Sequence, residues 1–215
     1  MQLSKENNAI NKYQNRVLGF TLILLIPFSI IFGLINHEHN MEGWWYSVSR
    51  TYYATDGIIM MSMLAVTLVM FISYRCRFKI ERFCTIMSAI ATFGVLAFPH
   101  GLPEYELAGI FLTPYHIGGK FHIFFATMLF VSYGIFSVLA LRKEDSDFVP
   151  TKKSSLRSRI YLLNGILIFV SSACLGLRIL LDLPEFLVIF FEALIFVPFG
   201  INLLIKAGFF KSLRD

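Results

Sequence analysis

The sequence predicts an all-α polytopic membrane protein: one domain spanning residues 1–215, built as a six-transmembrane-helix bundle with both ends in the cytoplasm. Three observations lead there. Hydrophobic residues make up 56% of the 215 and charged residues only 15%, against about a quarter charged in soluble domains. The apolar residues come in long blocks rather than in alternation, and Lys and Arg gather in alternate loops. Lipid offers the backbone no hydrogen bonds, so an apolar run of about 18 or more residues is satisfied only as a helix.

The first block, 17–36, follows a polar start and runs into His-Glu-His rather than a small-residue cleavage site, which favours a span over a cleaved leader. Trp44, Trp45, Tyr46, Tyr52 and Tyr53 then read as an interfacial aromatic belt. Ser47 or Ser49 caps a helix that starts above the hydrocarbon and runs into the second block, 55–74. On that helix Ser49, Tyr53, Asp56 and Met60 share one face, with Asp56 at the membrane entry. A basic loop precedes the third block, 83–99.

Between the third and fourth blocks lies "FPHGLPEYELAGIFLTPYHIGGKFH". Its prolines and glycines prevent a seventh span, and "ELAGIFL" reads as a short surface or re-entrant helix. Thr113 and Pro114 signal the start of the next helix ahead of the fourth block, 120–141. Gly118, His122 and Ala126 share a face there, so small residues flank the imidazole. His116 stands six residues from His122, roughly 120° round the helix, unlike an i, i+4 metal pair.

In the fifth block, 160–181, Arg178 precedes Asp182 by four residues, the spacing of an intrahelical ion pair. Pro184 opens the sixth block, 186–205. Glu192 follows it by eight residues, about 12 Å down the helix, where a carboxylate needs a partner such as Arg178 or a protonated His122. Pro27 and Pro198 are the interior kink candidates. Cys76, Cys84 and Cys174 suggest neither disulfides nor a CxxC metal site.

Sixteen of the 19 Lys and Arg fall on one side, including the 143–158 loop; Arg50, Lys120 and Arg178 are the exceptions. The positive-inside rule puts that side in the cytoplasm. The cationic side reads as orientation and attraction to anionic lipid, with no role for nucleic acid. All five histidines, His37, His39, His100, His116 and His122, lie in or beside the outer loops, with eight of the 14 acidic residues.

Three functions fit this sorting. In the first, Asp56, His122 and Glu192, supported by His100, His116, Arg178, Tyr53 and Ser49, line an outward-facing polar pocket for a lipid headgroup or small polar ligand, with transport one use of it. The second is a metal-dependent membrane lipid hydrolase, with zinc held by His100, His116, His122 and Asp56. Seven-span alkaline ceramidases use such chemistry, but this chain lacks their paired histidines and has one span fewer. The third is a non-catalytic immunity or scaffold protein. The partners expected are membrane lipid, a small polar or lipid ligand, and a second copy of the chain or another membrane protein.

The strings "YSVSRTYYATDGIIMMSM", "LAFPHG", "FHIFFATMLFVSYGIFS", "RIYLLNG" and "FEALIFVPFGINLLIKAG" resemble a family of small six-span bacterial membrane proteins known as a domain of unknown function. The resemblance implies a bacterial cytoplasmic membrane and an S-x-x-Y-Y stretch, here Ser49 to Tyr53, above an acidic residue. Family members often carry Arg-Asp where this chain has Thr55-Asp56. His122 and Glu192 fall on the family's histidine and glutamate positions.

Overall fold

The computed structural model describes residues 2–35, 43–55, 57–100, 107–142 and 151–213. Asp56, which the sequence placed on a helix at the membrane entry, and His37, His39, Glu104, Glu106 and residues 143–150, which it placed in outer or cytoplasmic loops, lie outside the described residues. Within them the chain is all-α except for one short hairpin. The helices are α1 (Gln2–Ile35), α2 (Thr51–Ala54), α3 (Ile58–Ile72), α4 (Lys79–Ala97), α5 (Tyr115–Ile135), α6 (Lys152–Leu180) and α7 (Leu187–Lys206). A π-helical stretch, Phe136–Leu141, continues α5.

Among the described residues five helices, all but α2 and α3, are long and apolar enough to cross a membrane. The second predicted span is shorter than expected. The α3 helix has 15 residues, about 22 Å at 1.5 Å per residue, against a hydrocarbon thickness of about 30 Å. Gly57, with φ +76°, ends the turn that begins at α2, because that left-handed conformation interrupts a right-handed helix. Ser49, Tyr53 and Met60 therefore do not ride on one continuous helix. At the far end Ser73 bonds back to the Val69 carbonyl, closing α3.

A second correction concerns "ELAGIFL". Leu107–Ala108 (β1) pairs antiparallel with Thr113–Pro114 (β2), so this segment is a hairpin and not a surface helix. Gly109 (φ +79°) and Leu112 (φ +46°) make the turn, and a Cβ on Gly109 would stand 2.5 Å from the Ala97 carbonyl oxygen. The α5 helix starts at Tyr115, directly after the predicted Thr113-Pro114 signal.

Polarity is arranged inside out. Leu163, Val170, Ile72 and Phe190 point outward and are more than half exposed, whereas Thr67, Ser88, Thr92, Ser137 and Asn202 are fully buried. Thr67 and Thr92 bond back to carbonyls of their own helices, and the others pair across helices. Ser88 and Ser132 join α4 to α5 at 2.7 Å. Asn202 donates to Ser137 at 3.0 Å and accepts from Asn164 at 2.7 Å, linking α5, α6 and α7. Such pairs and close backbone approaches hold helices together where burying apolar surface yields no net gain. The α1–α7 contact is one of these approaches: a Cβ on Gly200 would lie 2.8 Å from the Gly19 carbonyl oxygen. Trp44, expected in the aromatic belt, instead turns inward and covers Gly33.

The end of the bundle that carries the basic loops is fastened by hydrogen bonds. Gln14 donates to the Ser73 carbonyl at 2.8 Å, and the Tyr74 hydroxyl donates to Asn15 at 2.7 Å. Glu81 on α4 forms a buried ion pair with Lys206 on α7 and accepts the Arg77 amide at 2.5 Å. Removing one partner of such a pair strands the other charge. Glu81→Ala is expected to cost about 3–5 kcal/mol, read as a lowered melting temperature in detergent. The double variant Glu81→Leu with Lys206→Met should recover most of that loss; a double variant as unstable as the single would show that the charge is not the cause.

Candidate functional site

The opposite end of the bundle holds the candidate site, and its centre is the segment before α2. Tyr46 accepts the amide of Ile189 in the first turn of α7 at 2.8 Å, filling one of the donors that a helix start leaves open. Two residues on, the Val48 amide donates to Glu192 Oε2 at 2.7 Å in a buried bond. Glu192 therefore has neither of the partners expected from the sequence; it takes a backbone N–H 144 residues away.

The next residue bonds to the facing helix. Ser49 Oγ lies 2.7 Å from His122 Nε2, and His122 Nδ1 lies 2.8 Å from the Phe98 carbonyl oxygen. A carbonyl only accepts, so Nδ1 carries the proton and donates. In the neutral ring Nε2 is then the acceptor for the Ser49 hydroxyl proton. Phe98 is held at the end of α4 by its stack with Phe121 (centroids 4.9 Å) and by its amide bond to Gly94. Gly118 and Ala126 flank His122 on α5 as anticipated: nothing closer than 3.9 Å would meet a Cβ on Gly118, and Ala126 lines the hollow beside the ring.

Beside this pair opens a cavity of about 340 Å³. Ser49, His100, His122, Arg178 and Glu192, five of the eight residues singled out from sequence, line it together. The other three do not. Tyr53 turns away and donates its hydroxyl to the His100 carbonyl at 2.6 Å. His116 is exposed on the first turn of α5, its ring against Tyr115. Asp56 is outside the described residues.

The sequence reading missed the residues at the mouth. Arg50 and Glu185 form an ion pair at 2.5 Å, and Arg178 approaches the same carboxylate at 3.6 Å. Arg178 thus pairs with Glu185 and not with Asp182. The α6 helix ends before Asp182, which sits at φ +49° in the turn, so the i, i+4 geometry is never completed. Arg178 Nε is buried with no hydrogen-bond partner among the described residues. Arg50 had one legible signal: it is a rare cation on the acidic side of the chain.

His100 completes the polar wall, its ring 5.8 Å from that of His122 and close to perpendicular to it. Burial, and next the charge of Arg50, lower the His100 pKa below its ordinary 6.5; Glu185 opposes the shift and Arg178 adds to it. Among the described residues no three His, Cys, Asp or Glu side chains come together to hold a metal. Both His122 nitrogens are already engaged, which leaves it no free lone pair for zinc. Ile123, Ala126, Phe130, Leu175 and Val188 add apolar surface to the same lining. In comparison with known proteins, no family model, curated protein or solved structure matches this chain.

The lowered His100 pKa has a definite sign for stability. On acidification the unfolded chain takes up this proton first, near the ordinary 6.5, so stability is intact above that value and falls as pH drops from 6.5 towards the folded value. Melting temperature measured from pH 8 to pH 5 should show that decline in the wild type and a shallower one in His100→Asn. Identical slopes would remove His100 as the titrating group.

Proposed function

We propose that this is a six-span protein of the bacterial cytoplasmic membrane whose outward-facing cavity binds a membrane lipid by an anionic headgroup. The observation that carries the proposal is the mixed lining of the cavity. Arg50, Arg178, His100 and Ser49 line it together with Ile123, Phe130, Leu175 and Val188. A free polar solute has no use for the apolar residues. Two guanidiniums meet at one carboxylate, Glu185, and bring N–H donors suited to phosphate. About 340 Å³ falls in the range of small-ligand sites and suits a headgroup with the start of its chains, the rest lying among lipid.

The sixth span is α3 together with α2 and the turn between them, which lengthen its short apolar core. The cavity lies at the end of the bundle away from the basic loops, so the positive-inside rule makes it outward-facing. The bacterial membrane rests on the resemblance of the sequence strings.

Lipid extracted from protein purified in mild detergent should be enriched in anionic species. Arg178→Gln should lower that bound fraction about tenfold, equivalent to about 1.4 kcal/mol of lost binding. Equal lipid in wild type and variant, or none in either, would refute headgroup binding. For orientation, Lys152→Cys in a background lacking Cys76, Cys84 and Cys174 should react with an impermeant thiol reagent only after the cells are opened. Labelling of intact cells would invert the topology.

A further inference from the structure

We propose that Ser49 and His122 form a nucleophile–base pair that hydrolyses a carboxylic ester of a lipid held in the cavity. The geometry asks for more than a packing role. The Ser49 hydroxyl is within 2.7 Å of an imidazole nitrogen, and the other nitrogen is fixed by the Phe98 carbonyl at 2.8 Å. That is the order of parts in an activated hydroxyl: nucleophile, base, and a third group that sets the tautomer of the base. Ser49 and His122 both line the cavity, so the hydroxyl stands where a ligand would meet it.

Two further observations point the same way. Ser49 is held on its backbone side as well, because the adjacent Val48 amide is bonded to Glu192. Glu192 acts here as a positioning residue. Arg178, whose Nε is buried and unpartnered among the described residues, lines the same cavity and is a cationic donor for the charge an ester oxygen develops under attack. The apolar residues Phe130 and Leu175 of the same lining give the acyl chain a place to lie.

The step balances with water as the only co-reactant. Ser49 Oγ bonds to the ester carbonyl carbon as its proton passes to His122 Nε2. The carbon–oxygen bond to the leaving alcohol breaks, its electron pair stays on that oxygen, and Nε2 returns the proton to it. Water then adds to the acyl carbon and gives a proton to Nε2, the bond to Oγ breaks, and Oγ regains the proton. The products are an alcohol and a fatty acid. A carbonyl orients the ring but carries no full charge, so turnover slower than that of a Ser-His-Asp enzyme is expected.

The substrate rests on the lipid-binding reading, but the pair itself is tested without the lipid. Full-length protein in lipid nanodiscs is treated with an alkyl fluorophosphonate, and the adduct is mapped by peptide mass. The expected result is an adduct on Ser49, none in Ser49→Ala, and a rate lowered about 100-fold or more in His122→Gln. Should His122→Gln fail to fold, the mapped adduct and its loss in Ser49→Ala decide alone. A wild type that reacts no faster than Ser49→Ala overturns the proposal. If lipid still co-purifies in that case, the binding reading survives its failure. A Ser49 adduct in protein that carries no lipid supports the pair and removes the lipid reading instead.

Discussion

Two consecutive residues, Val48 and Ser49, are held by opposite walls of the bundle. The amide of Val48 goes to Glu192 on α7, and the hydroxyl of Ser49 goes to His122 on α5. A segment outside regular structure thereby becomes the wedge between two helices. Tyr46 extends the attachment by covering the first turn of α7. Buried amides and carboxylates without partners are costly, and each of these bonds answers one such need. The cavity adjoins the wedge, lined by its Ser47, Ser49 and Arg50 and by residues of α5, α6 and α7.

The membrane explains why so few contacts have such consequence. Lipid tails compete with apolar side chains for every helix face, so packing against Leu and Phe gives helices little reason to associate in one arrangement. The discriminating contacts are polar or close. Ser88 with Ser132, Asn202 with Ser137 and Asn164, and Gly19 against Gly200 fix which helix meets which. At the basic end Glu81 and Lys206 do the same with charge. The polar groups of the cavity belong to the same economy, but there Arg178 Nε is buried and without a partner among the described residues.

Function and architecture meet in the asymmetry of the two ends. One end is tied through Gln14, Asn15, Tyr74 and the Glu81–Lys206 pair, beside a second cavity of about 420 Å³ lined by Tyr74, Cys76, Arg82 and Thr85. The other keeps a hollow lined by hydroxyl, imidazole, guanidinium and carboxylate groups together with apolar side chains. Tyr53 supports the site from outside by donating to the His100 carbonyl, whereas His116 is exposed and takes no part in the lining.

Apolar block length and the sorting of charge were enough to read the helical class, five of the predicted spans, the Thr113-Pro114 start of α5, and His122 and Glu192 as inward polar residues. These depend on hydropathy and on near neighbours in the chain, which a sequence displays directly. The break at Gly57, the hairpin at Leu107–Ala108 and the partners of Glu192, Arg178 and Ser49 were decided only in three dimensions. Glycine permits a left-handed turn without requiring one, and an amide donor carries no mark in the sequence of the carboxylate it will meet. The Ser49–His122 bond spans 73 residues and the Val48–Glu192 bond spans 144. Such pairings come into being only when the helices have packed, because packing is what brings these distant groups within bonding distance.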